Sequence, residues 1–140
     1  MTLDEALALP RVAIAGVPKA GKTTLSRRYG TSRPVIHTDD LIHSGLAWSE
    51  QSERVVEDCA RLETYVVEGV RVAHALRKGL ACDVVIWLPE SHEELEGRRL
   101  GMAKAIRTVF EEWRDMSAGT VPIVEIDAET YGQTNGQAAW

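Results

Sequence analysis

Cysteine is scarce: the 140-residue chain has two, Cys59 and Cys82, and their spacing builds neither a disulfide framework nor a metal site. Free buried thiols in a reducing compartment are what such usage predicts. Long apolar runs are missing as well. No segment reaches the roughly 20 residues of a membrane-crossing helix, and Met1-Thr2-Leu3-Asp4-Glu5-Ala6 lacks the basic start of an export signal, so a cytoplasmic location is expected. There is no surplus of positive charge either. The balance of 21 acidic against 16 basic residues leaves a net charge of −5, which excludes a protein that coats nucleic acid non-specifically but not one with a local basic groove. With no internal repeat, low-complexity tract or linker, residues 1–140 read as one domain around one core.

What is present is Gly16-Val17-Pro18-Lys19-Ala20-Gly21-Lys22-Thr23, which satisfies the pattern G-x-x-x-x-G-K-[ST] at every fixed position. Gly16 and Gly21 permit a backbone path that wraps successive N–H groups around an anion, where side chains would block close approach. Lys22 supplies a point charge for the β and γ phosphates, and Thr23 offers a hydroxyl to Mg²⁺. The helix opening near Gly21 aims its unsatisfied N–H groups and positive dipole end at the same place. The pattern carries weight only between a strand and a helix. The apolar run 12–15 precedes it, and Leu25 and Tyr29 follow one helical turn apart. Gly16, Lys19, Ala20, Gly21, Lys22, Thr23 and Thr24 are therefore expected to bind a nucleotide such as ATP with Mg²⁺.

Beyond the turn-rich stretch 30–34, residues 34–37 read as a second strand that delivers Asp39 and Asp40 at its carboxyl end, the rim where open parallel sheets place ligands. One acid there suits a general base for an alcohol acceptor and the other a metal partner. Asp39 is the first choice as base and Asp40 the second, although Asp40 also suits a cap on the turn 41–43. His37 and His43 flank the pair; packing or solvent positions are the ordinary reading of both. Trp48, in the loop 45–48, can stack on a flat substrate or anchor the loop. Ser49 reads as the N-cap of a helix whose buried face repeats at Val55, Cys59 and Leu62. A third strand over 64–67 ends in Glu68-Gly69, with Glu68 a candidate for the metal or acceptor side and Arg71 for a substrate clamp. Asp83 begins the fourth strand, 83–89, at the wrong end for a magnesium acid. No Asp closes an apolar strand, so Thr23 with Asp39, Asp40 or Glu68 must serve the metal.

Ser91-His92-Glu93-Glu94 has capping-box form and predicts a long lid-like helix over about 91–114. It carries the densest basic segment of the chain: Arg98 and Arg99 are the first choices for neutralising a moving γ-phosphoryl group, with Lys104 and Arg107 behind them on the substrate side. A solvated face in which Arg107 pairs with Glu111 is the plainer alternative. A short strand over 122–126 follows, and the tail 127–140 is expected to pack loosely.

Five strands alternating with helices predict an α/β domain of three layers with a mostly parallel sheet. That layout resembles the P-loop small-molecule and nucleotide kinases, which implies a P-loop NTPase fold of the nucleoside-monophosphate-kinase type. More closely, Ala15-Gly16-Val17-Pro18 through Thr24, His37-Thr38-Asp39-Asp40-Leu41-Ile42, Val67-Glu68-Gly69-Val70 with Ala75-Leu76-Arg77-Lys78, and Met102-Ala103-Lys104 followed by Thr108-Val109 resemble the short P-loop kinases of bacteriophages. Some of that group are similar to kinases acting on 5-hydroxymethyluracil in DNA. The resemblance implies ATP-dependent transfer to that hydroxymethyl group in the host cytoplasm, with Asp39 or Asp40 as base. DNA binding would then require Arg27, Arg28, Arg33, Arg71 and the lid cations to form one groove, with Trp48 stacking on a flipped base. Two other readings stand beside it: a kinase of a free nucleoside, nucleotide or small polar metabolite, and a non-catalytic nucleotide-binding switch. The missing N-K-x-D motif counts against a GTPase.

Overall fold

Three stretches of the chain are apolar on both faces, and these become the interior of a sheet, as strands covered on both sides must. In the computed structural model, which describes residues 1–29, 32–42 and 44–126 apart from the side chains of Arg28 and Tyr29, they are β1 (Arg11–Gly16), β3 (Tyr65–Gly69) and β4 (Val84–Leu88). The shorter and less buried β2 (Val35–His37) and β5 (Ile123–Glu125) form the edges. The order is β2-β3-β1-β4-β5, and every neighbouring pair is parallel. The register puts His37 and Ile14 on either side of Glu68. The expected tail 127–140, and His43, lie outside the described residues.

Helices cover both faces. α2 (Lys22–Tyr29) lies against β1 and β3. On the other face α3 (Trp48–Ala60), α4 (Val72–Arg77) and α5 (Gly97–Ser117) pack side by side, the arrangement that right-handed crossovers require for this strand order. With the Gly-Lys-Thr loop running from β1 into α2, this is a three-layer P-loop NTPase fold. The largest fully buried side chain of α5 is Phe110, whose ring stacks on Trp87 of β4 with centroids 3.9 Å apart and planes 4° from parallel. Val55 and Cys59 of α3 are buried as their spacing predicts. Burial pushes the thiols of Cys59 and Cys82 up to about 12, which makes both poor nucleophiles. Among the described residues no helix is long and apolar enough to cross a membrane.

Three elements differ from expectation. A short helix, α1 (Leu3–Leu7), precedes β1, started by a capping box in which the Glu5 N–H donates to Thr2 Oγ1 at 3.1 Å and the Thr2 N–H to Glu5 Oε1 at 3.3 Å. α3 begins at Trp48 with Ala47 as a cap that offers no side-chain bond, so Ser49 lies inside the helix and Trp48 in its first turn rather than in a loop. α5 begins at Gly97, not Ser91. The Ser91 hydroxyl accepts from the Glu93 N–H at 3.1 Å in a local turn, and Gly97 sits at φ +57°, a left-handed backbone through which no right-handed helix from 91 can run.

Candidate active site

The phosphate loop is shaped by what its glycines allow. A Cβ on Gly16 would lie 2.9 Å from the Leu88 carbonyl oxygen, so only glycine lets β1 end this close to β4. The Val17 N–H donates to the same carbonyl at 3.2 Å. Gly21 at φ +92° and Lys19 at φ +61° complete the turn, and the Lys19 carbonyl accepts from the His92 N–H at 2.8 Å, which ties the loop to the segment after β4. The Lys22 side chain folds back into the loop, where it is 6% exposed and its Nζ donates to the Val17 carbonyl at 2.5 Å. Burial lowers its pKa to about 8, against the opposing pull of Asp39 and Glu68.

Beneath Lys22, Thr23 Oγ1 donates to Glu68 Oε1 at 3.2 Å. Glu68 is buried, and it closes the apolar strand β3, so a glutamate stands where an Asp had been sought. His37 Nδ1 lies 2.5 Å from the same Oε1. The other oxygen, Oε2, is buried without a partner. Gly69 follows at φ +135°, and a Cβ there would come within 1.9 Å of Thr38 Oγ1. The ends of β2 and β3 are thus pressed together. Thr38 Oγ1 accepts from the Arg71 N–H at 3.3 Å, and Asp39 Oδ1 from the Val70 N–H at 3.4 Å.

A cleft of about 520 Å³ opens above this arrangement. It is lined by the loop residues Lys19, Gly21, Lys22, Thr23 and Thr24, by Asp39, Ile42 and Val70 beyond the ends of β2 and β3, and by Arg99 and Met102 of α5. The apolar wall residues Ile42 and Val70 carried no sequence signal that separates a cleft lining from a core position. Of the paired acids the cleft takes Asp39; Asp40 is exposed on the short 3₁₀ turn Thr38–Leu41 and does not line it. Of the basic segment it takes Arg99, while Arg98 and Lys104 are exposed and line no part of it. Arg107 is half-buried, and its Nε donates to the Pro89 carbonyl at 3.0 Å, fastening the segment after β4 to α5. It does not pair with Glu111, whose partner is Arg114.

Arg71 is not a surface clamp. It is 1% exposed, and its guanidinium carbon lies 3.2 Å from the centroid of Trp48, which is itself 54% exposed and covers it. Its Nε and Nη1 are buried with no hydrogen-bond partner, and burial lowers its pKa to about 10 against the pull of Asp39. The single basic groove expected of Arg27, Arg28, Arg33, Arg71 and the lid cations loses Arg33 and Arg71. Arg33 donates to the carbonyls of Leu7, at 2.6 Å, and Leu9, below the amino ends of the strands, and Arg28 lies outside the described side chains. Asp83 is also at that far end, paired with Arg11 at 2.9 Å, a contact that holds its carboxyl below the usual range.

Among the described residues no three His, Cys, Asp or Glu side chains group as a metal cage. The donors that are present fit a magnesium ion carried in with a nucleotide: one hydroxyl at Thr23, the unpartnered buried oxygen of Glu68, and Asp39 on the wall. Mg²⁺ keeps most of its water and takes few protein ligands in such sites.

No protein-family model matches the chain, and no curated protein matches it. Among solved structures it is similar to one described as deoxyadenosine kinase from M. mycoides with products dCMP and a flexible dCDP bound, at 14% identity over 92% of this chain and 99% of that one, with a TM-score of 0.46. At that level the likeness adds nothing to the topology already described.

Proposed function

We propose that this protein is a kinase that transfers the γ-phosphoryl group of ATP to an alcohol on a small polar acceptor. The observation that carries the reading is that Asp39 lines the same cleft as Lys22, Thr23 and Arg99. An acid there can take the proton of an alcohol, a role that a switch which only binds nucleotide does not need. Asp39 accepts the proton of the acceptor hydroxyl as its oxygen bonds to the γ-phosphorus. The bond from that phosphorus to the β–γ bridging oxygen breaks, and ADP leaves. Lys22 and Arg99 neutralise the charge on the phosphoryl oxygens during transfer. Magnesium, held by Thr23 and Glu68, would supply charge neutralisation on the β and γ phosphates.

The placing of Arg33 and Arg71 favours a small acceptor over the hydroxymethyl group of 5-hydroxymethyluracil in DNA, because two of the cations that would grip a backbone are bonded or buried elsewhere.

The test offers γ-labelled ATP and Mg²⁺ with a mixture of nucleosides, nucleotides and polar metabolites, with 5-hydroxymethyluracil DNA, and with ordinary DNA. Label is expected in the small-molecule fraction. Asp39→Asn should lower transfer by about 10²- to 10⁴-fold while nucleotide affinity is nearly kept. Label on the modified DNA alone would replace the acceptor, and ATP consumption indifferent to every acceptor would leave the switch reading in its place.

A further inference from the structure

The carboxylate of Glu68 is asymmetrically held. Oε1 receives Thr23 Oγ1 at 3.2 Å from α2 and His37 Nδ1 at 2.5 Å from β2, while Oε2 is buried and receives nothing. An ionised carboxylate has about four lone-pair sites, so an oxygen sealed from water with no donor is costly. Glu68 itself is 1% exposed and cannot turn outward to relieve the deficit. The arrangement is sensible only if the protein keeps one oxygen for itself and reserves the other.

We propose that His37 is a positioning residue that holds the plane of the Glu68 carboxylate, so that one oxygen stays anchored and the other is kept for the hydration shell of a divalent cation. The inference rests on the kinase reading of the same cleft. Two observations support it apart from the contact. His37 and Glu68 are register partners on adjacent parallel strands, so their proximity is set by backbone pairing and not by a flexible side chain. The Thr23 hydroxyl, in donating its proton to Oε1, keeps its own lone pairs free, so the same contact orients both candidate ligands. His37 presents Nδ1–H to Oε1, which fixes the carboxylate plane as second-shell partners of metal sites do. Without it, the carboxylate plane could turn about the last bond of Glu68 and carry the unpartnered oxygen out of line, with Thr23 alone left to resist.

The experiment is titration of a fluorescent ATP analogue into the protein in EDTA and across a Mg²⁺ series, for wild type, His37→Asn and His37→Gln. The Asn amide nitrogen falls near the position of Nδ1, and the longer Gln amide near Nε2, so the pair separates donor position from polarity and size. His37→Asn should keep the wild-type Mg²⁺ midpoint within about threefold. His37→Gln should raise it about 10- to 100-fold, the usual cost of losing a second-shell partner, with nucleotide affinity in EDTA unchanged within about twofold. Equal Mg²⁺ midpoints for wild type and His37→Gln would overturn the role of His37 and leave the kinase reading intact. A wild-type protein that binds the nucleotide with no response to Mg²⁺ would remove the cation site and this proposal with it. Nucleotide that fails to bind wild type at all would refute the kinase reading itself.

Discussion

Replacing Gly69 by alanine tests whether the ends of β2 and β3 are as closely joined as described. Two costs can be worked out. At φ +135° an L-residue is strained, by about 1–3 kcal/mol. The new Cβ would also fall 1.9 Å from Thr38 Oγ1 and 3.0 Å from both Thr38 Cβ and Asp39 Oδ1. Thr38 is buried, so it has nowhere open to go. If it yields, the Arg71 N–H loses its acceptor, a further loss of about 1–3 kcal/mol. A destabilisation of at least about 2 kcal/mol follows, a large share of the roughly 5–15 kcal/mol that holds a domain together. Urea unfolding of Gly69→Ala against wild type measures it. Adding Thr38→Ala removes the nearer clash but not the backbone strain, so the double variant should be less stable than wild type yet at least about 1 kcal/mol better than the two single effects summed. A loss below about 1 kcal/mol in Gly69→Ala, or simple additivity, would refute the geometry on which the Asp39 and Glu68 placements depend.

Lys22→Met should stabilise the nucleotide-free protein. Burial depresses the native pKa from 10.5 to about 8, so the folded state disfavours the charged form, and below about pH 8 that charge costs about 3 kcal/mol. Wild-type stability should rise between about pH 8 and pH 10.5, where the unfolded chain binds the proton and the folded one does not. Thermal unfolding across that range should show the rise in wild type and not in the variant; parallel curves would contradict it. Phe110→Ala removes the ring stacked on Trp87 and should cost about 3–5 kcal/mol in chemical denaturation, whereas a loss under about 1 kcal/mol would mean that α5 is held elsewhere.

The legible parts of the chain were those where one local cause decides the outcome. The apolar run before Gly16 had to be a buried strand, and the Gly-Lys-Thr pattern had to sit between it and a helix, because nothing else satisfies both. Glu68 and Asp39 were legible as acids at carboxyl strand ends. The errors came where local signals compete. Ser91 has capping-box form, but so does Thr2 with Glu5, which went unread although it starts a real helix; the difference is Gly97 at φ +57°, a conformation the sequence permits without announcing it. Arg33, Arg71 and Arg107 look alike in sequence, yet one bonds carbonyls below the sheet, one is sealed under an indole, and one fastens a loop. What separates them is long-range packing, which charge pattern does not encode. For His37 a packing or solvent position is the ordinary reading of a strand-end histidine; its partner, Glu68, is 31 residues away.

The first turn of α5 has a consequence for timing as well as place. Gly97 and Gly101 bracket the segment that carries Arg98 and Arg99, no side chain caps it, and the first buried residue of the helix is Ala103. Each glycine weakens a helix by about 1 kcal/mol relative to alanine, so this turn is the part of α5 least held by its own sequence, while Phe110 keeps the remainder on the sheet. On the kinase reading, a charged donor beneath Arg99 would steady the turn most before transfer and least once its charge is divided between two products.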